Sequence, residues 1–190
     1  MTRSHRAITT GIAAFLFLLP VGALADSVLQ GAMPDSTRQI SHSLDAAVPA
    51  PSIETPLHRL YCVEYARLRS GLAIFGNANQ WWIHAKNLYA EVTSPVTDAV
   101  MVFARSRRIK KGHVAVVTHI VSPREIRVDQ ANWQNRGEID HSIPVLDVSK
   151  ANDWSRVRVW NIATGTFGTH IYPIRGFIAK GPTRSAQAGL

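Results

Sequence analysis

Apolar positions along this chain change their spacing at about Pro95. Before it, Tyr61, Tyr65, Leu68 and Leu72 recur at i, i+4, i+7 and i+11, which is the stripe of an amphipathic helix. Ser70-Gly71 gives that helix a stop, and Cys62 falls in its first turn. A second helix is predicted over Asn77–Tyr89, with Trp81, Ala85 and Leu88 on one face and Trp82 flanking it. Beyond Pro95 the period is that of strands. Ala99–Ala104, the valine-rich His113–Val121, the alternating Glu125–Trp133, Arg156–Ile162 and Tyr172–Ala179 are the predicted members. Short connections favour antiparallel pairing. The expectation is an α+β domain in which N-terminal helices pack on an antiparallel β-sheet.

The chain begins Met-Thr-Arg-Ser-His-Arg, runs through apolar Ile12–Leu19 and reaches Ala23-Leu24-Ala25. A basic start, a short apolar run and an A-x-A end are the parts of a secretory signal peptide, here residues 1–25. The run is too short to span a bilayer comfortably, so no stable membrane anchor is expected. Residues 26–56, polar and proline-containing without a sustained period, read as a flexible linker or pro-segment. Residues 57–180 would then be the ordered domain and 181–190 a disordered tail. The mature protein is expected to be an exported monomer, in the periplasm or outside the cell.

Export gives the charge a meaning. The 190 residues carry 21 Lys and Arg against 13 Asp and Glu, a formal charge of +8. Arg3 and Arg6 leave with the signal peptide, so 19 basic against 13 acidic residues remain. An exported basic protein meets anionic envelope polymers rather than nucleic acid. The densest basic run, Arg105 to Lys111, lies between two strand-like runs and reads as a solvated hairpin loop.

Export also makes Cys62, the one cysteine, informative. It has no internal disulfide partner, so it is either an inert buried thiol or a reactive one. The start of a helix favours the second reading, because unpaired N–H groups and the helix dipole stabilise a thiolate. The same N–H groups can hold the oxyanion of a tetrahedral intermediate. An imidazole partner is needed. His113 follows Gly112 at the rigid start of a buried-looking strand, whereas His119 lies further in and His42, His141 and His170 fall in linker or loop-like stretches. For a group that orients the imidazole, strand alternation puts Gln130 and Asn132 on the face of Ile126 and Val128, with Asp129 on the other face. Asn132 is favoured as orienter and Gln130 as accessory. No histidine pair has zinc-ligand spacing with a carboxylate, so no metal and no cofactor is expected.

Four segments then fall together: Tyr61-Cys62-Val-Glu-Tyr65-Ala-Arg67, Gly76-Asn77-Ala78-x-x-Trp81, Gly112-His113-Val-Ala-Val and Asp129-Gln-Ala-Asn132-Trp133. In that order they resemble the CHAP family of cysteine- and histidine-dependent amidohydrolases/peptidases, a branch of the papain-like superfamily, from about Tyr61 to Ala179. The resemblance implies a papain-like fold and a metal-free peptidoglycan amidase or endopeptidase. It implies Cys62 as nucleophile, His113 as base and Asn132 as the asparagine of the family's Glu-Ala-Asn-Trp segment. Gln130 stands where that segment often has glutamate; it can accept a hydrogen bond but brings no charge. Asp129 could supply the charge only if a bulge re-aims it. Tyr61 stands where glutamine often precedes the cysteine, and its hydroxyl could donate to an oxyanion. Trp133 is placed to shield the imidazole; Trp81 and Trp82 read first as core residues, and Trp82 could also meet a sugar ring in the groove. The alternative to an enzyme is a CHAP-like module that binds wall or another envelope polymer without cutting it.

Overall fold

A computed structural model describes residues 47–181. The signal peptide, most of the linker and nearly all of the tail read from the sequence lie outside the described residues. Nine strands and two short helices make up the described chain. In chain order the strands are β1 (Ser52–Glu54), β2 (Ala90–Val92), β3 (Val100–Phe103), β4 (His113–Ser122), β5 (Glu125–Ala131), β6 (Ile139–Asp147), β7 (Arg156–Asn161), β8 (Thr166–Phe167) and β9 (Tyr172–Ala179). The helices are α1 (Cys62–Ser70) and α2 (Trp81–Ala85), the latter preceded by a 3-10 turn at Ala78–Gln80.

The expected helices-on-a-sheet arrangement of a papain-like α+β fold is overturned. The structure is mostly sheet. Strands β3, β4, β5, β6, β7 and β9 pair in that order, and β9 returns to β3, closing a six-stranded antiparallel barrel. Strands β1, β2 and β8 add to β6, β9 and β7. The segment that closes the ring, β6, was not expected to be a strand: Asp140, His141, Ser142 and Pro144 interrupt its apolar positions. Its first residues pair with β1 and its last with β7, while β5 runs along both parts. Between the two parts Ser142 adopts φ 53°, and Asp129 Oδ1 accepts its N–H at 2.8 Å. A register shift in β5 lies opposite. Such an irregularity bends a strand around a barrel corner.

Alternation sorts the strand residues. Met101, Phe103, Ala115, Val117, Ile126, Val128, Val145 and Phe177 fill the interior. Val100, Val102, Val114, Val116 and Ile178 face outward and are covered by Ala66, Leu72, Ile74, Trp81 and Ala85. The stripe expected for α1 differs from the face it buries. Leu68 is 76% exposed, and the buried helix residues are Tyr65, Ala66 and Ser70. Small Ala66 and Ser70 let the helix lie close on the barrel wall, and Ser70 Oγ donates to Ala66 O instead of demanding a partner there. The second helix stops at Ala85, because Lys86 turns extended and Asn87 takes φ 67°. Among the described residues, no helix is long and apolar enough to cross a membrane.

Candidate active site

Three elements meet at one end of the barrel. The N-terminus of α1 brings Tyr61 and Cys62, the start of β4 brings His113, and the turn after β5 brings Asn132 and Trp133; all line an open cleft of about 960 Å³. The cysteine is held firmly. Glu64 Oε2 accepts the Tyr61 N–H at 2.9 Å, fixing the entry of α1. The backbone N–H groups of Val114, Val63 and Cys62 itself pull the thiol's pKa down. Val114 directly follows His113, so β4 delivers both the imidazole and a donor to the sulfur.

His113 begins the inward-facing set of β4 and is buried, with Phe103 and Trp133 rings at centroid distances of 5.4 and 4.7 Å. Trp133 thus lies against the imidazole. The orienting group differs. Gln130 Oε1 meets His113 Nε2 at 3.0 Å, and no such contact links Asn132 to the ring. Alternation placed Gln130 correctly inside but was carried too far. β5 ends at Ala131, and Asn132 turns to φ 59° to start the 132–138 connection, its N–H going to Glu138 O. Asn132 therefore lines the cleft instead of supporting the ring. With Oε1 accepting, Nε2 carries the proton and Nδ1 keeps the lone pair that can take one from a thiol.

Asp129 is not re-aimed. It binds Ser142 N, His141 Nδ1 at 3.2 Å and Tyr65 OH at 3.3 Å on the outside of the barrel, tying α1 to β6. Trp82 is also elsewhere: its ring lies over Gly176 of β9, where a Cβ would come within 2.5 Å of Cη2, and it does not line the cleft. Tyr61 does line it and is 66% exposed.

Electrostatics correct one expectation. Burial pushes the Cys62 thiol up and outweighs the three N–H groups that pull it down. Burial also lowers His113 to about 4, against the opposing bond to Gln130. The resting site therefore holds a neutral thiol and a neutral imidazole in one cleft. Iodoacetamide alkylation of Cys62 should rise steadily with pH through 9, and a plateau below pH 7 would indicate a preformed ion pair instead. Stability carries the same signature. Because the folded pKa of His113, about 4, lies below its ordinary 6.5, the unfolded chain binds its proton first as pH falls. Stability present above pH 6.5 should be lost towards pH 4, by about 3 kcal/mol for this group. His113→Gln should flatten that part of the melting-temperature profile relative to wild type.

Gly112 sets the position of His113. It has φ 75°, and a Cβ there would come within 2.6 Å of the Asn79 backbone N, which itself donates to Lys111 O. Gly112→Ala should cost at least ~2 kcal/mol. The melting temperature should then fall by roughly 5–10 °C. A melting curve within 2 °C of wild type, by the same ~4 °C per kcal/mol relation, would contradict the close approach.

Two walls of the cleft escaped the sequence reading. Arg108 and Lys111, read as a solvated loop, line it. So do Asn161, Thr164, Thr166 and Thr169 of the β7–β8 region. The polar cluster Thr164-Gly-Thr-Phe-Gly-Thr169 was the available signal. Among the described residues, no group of three or more His, Cys, Asp or Glu side chains is arranged to hold a metal ion. Residues 55–132 match the family model of the CHAP domain. No curated protein matches the chain.

Proposed function

We propose, on the premise that residues 55–132 belong to the CHAP domain family of cysteine- and histidine-dependent amidohydrolases/peptidases, that this protein is an exported cysteine hydrolase of peptidoglycan. The bond cut is an amide, either the N-acetylmuramoyl-L-alanine link or a peptide bond of the stem or crossbridge. The observation that carries the reading is the meeting of Cys62 and His113 in one open cleft, with Gln130 on Nε2 and the cysteine at the start of α1.

The chemistry follows from these positions. As Sγ attacks the amide carbon, Nδ1 of His113 takes the thiol proton, and Gln130 Oε1 holds the Nε2–H of the imidazolium. Negative charge on the carbonyl oxygen faces the N–H groups at the start of α1. The imidazolium then gives its proton to the leaving amine, and a thioester remains. Water, deprotonated by the same Nδ1, hydrolyses the thioester and restores the thiol. Trp133 limits water around the ring during these steps.

The substrate class rests on charge. Among the described residues, Arg108 and Lys111 line the cleft, and no Asp or Glu does. Such a cleft suits a carboxylate-bearing polymer, which peptidoglycan stem peptides are. The hydroxyl and amide groups of Asn161, Thr164, Thr166 and Thr169 offer hydrogen bonds to sugar and peptide. Meeting that polymer requires export, which the signal-peptide reading of residues 1–25 supplies. A zymogram on purified peptidoglycan tests the reading: wild type should clear the gel and Cys62→Ala should not, while equal clearing by both overturns it. The burial that raises the Cys62 thiol favours one second reading, a wall-binding module without turnover. Wild-type protein that sediments with the wall yet releases no product would support that module instead.

A further inference from the structure

Behind Gln130 the strand register places an acid. Gln130 on β5 and Asp140 on β6 are Cα partners in the antiparallel pairing. Both line a second, small cavity of about 160 Å³, which shares Trp133, Gln134 and Asn161 with the cleft. Gln130 is 1% exposed and Asp140 4%. Gln130 uses Oε1 for His113, but its Nε2 is a buried donor with no protein partner among the described residues. Asp140 accepts Asn135 Nδ2 on Oδ1 at 3.0 Å, the one side-chain hydrogen bond it makes among the described residues. A buried donor without an acceptor is costly, and so is a buried carboxylate with a single donor. They share one cavity, which is large enough for water with several polar partners.

We propose that Asp140 is a positioning residue for the Cys62–His113 pair: its carboxylate takes the free N–H of Gln130 through one water in their shared cavity, and supplies through the amide the negative charge that Gln130 lacks. The proposal rests on the hydrolase reading of that pair. Drawing on the amide N–H increases the negative charge on Oε1, which strengthens its hold on His113 Nε2–H and raises the affinity of Nδ1 for the thiol proton. No proton leaves Asp140; the proton that moves goes from Sγ to Nδ1.

The surroundings set when the carboxylate is present. Burial raises Asp140 to about 7, Glu138 adds to the rise, and Asn135 and His141 oppose it. From β1 the residue opposite is apolar Ile53, and from the other wall come uncharged Trp160, Asn161 and Ile162. Above about pH 7 the carboxylate is ionised and the relay is on; below it the relay weakens.

Nitrogen-15 histidine labelling of the intact wild-type protein tests this without a substrate. The His113 ring signals, identified by their loss in His113→Gln, are followed from pH 5.5 to 8.5. The Nε2–H resonance should shift with a midpoint near 7 while Nδ1 remains unprotonated; a flat resonance overturns the proposal. Asp140→Asn should abolish that inflection. Gln130→Glu placed in the Asp140→Asn protein should hold the resonance near its high-pH position at neutral pH, because it supplies the charge directly. An inflection near pH 7 that survives in Asp140→Asn, or no rescue in a double variant with a native melting curve, also overturns the proposal. These readouts use only the ring. Failure to hydrolyse peptidoglycan would sink the hydrolase reading and leave them standing.

Discussion

Cys62→Ala should lower amide hydrolysis by at least ~10⁴-fold, the scale on which loss of a nucleophile acts. It should leave the melting temperature within a few degrees, since a thiol at the cleft edge contributes little packing. The alanine also suits a helix start, so the loss will not come from unfolding. Cys62→Ser should be nearly as inactive. His113 sits neutral and buried with only an amide oxygen on Nε2, and such a base is too weak for a hydroxyl, whose proton is held much more tightly than a thiol's. Release of new amino groups, read by arylation, measures both variants. Activity within tenfold of wild type in either one, against a loss of ~10⁴ expected for a nucleophile, would contradict Cys62 as the attacking group.

The second large effect separates the two candidates for the orienting residue. Gln130→Leu should reduce kcat by about 10²-fold with KM little changed, because it removes an acceptor needed only when His113 becomes charged. Leucine nearly matches the volume, so the fold should tolerate it. Asn132→Ala should reduce kcat by less than about tenfold and act mainly on KM, since Asn132 faces the cleft rather than the ring. The reverse order of effects would return the supporting role to Asn132.

Much of the site was readable before the fold was. Cys62 stood out because it is alone and opens a helix, and His113 because glycine precedes it at the start of a valine strand. Gln130 was found but ranked second. Alternation gives 130 and 132 the same face, and nothing in the sequence marks the left-handed turn at Asn132 that separates them. Trp82 lay beyond the same limit, because its contact with Gly176 is a long-range one. The fold class failed at a single segment. Ile139–Asp147 changes partners halfway, and its polar residues serve that bend: Ser142 takes the strained position and Asp140 faces a cavity. Period-2 reasoning assumes one inside and one outside along a straight strand, so a strand that turns a corner loses its signature. Without it the remaining strands read as an open sheet. The α1 stripe misled for a related reason, since the helix packs through small Ala66 and Ser70 and leaves Leu68 in solvent.

Hydrolysis of a peptidoglycan amide by Cys62 is most directly tested by mass spectrometry of purified peptidoglycan incubated with wild type and with Cys62→Ala. The wild-type digest should contain fragments in which one water has been added across a sugar–peptide or peptide amide, with the glycan links intact, and the variant digest should contain none. Fragments ending in new reducing sugars, or the same amide products from both proteins, would contradict it.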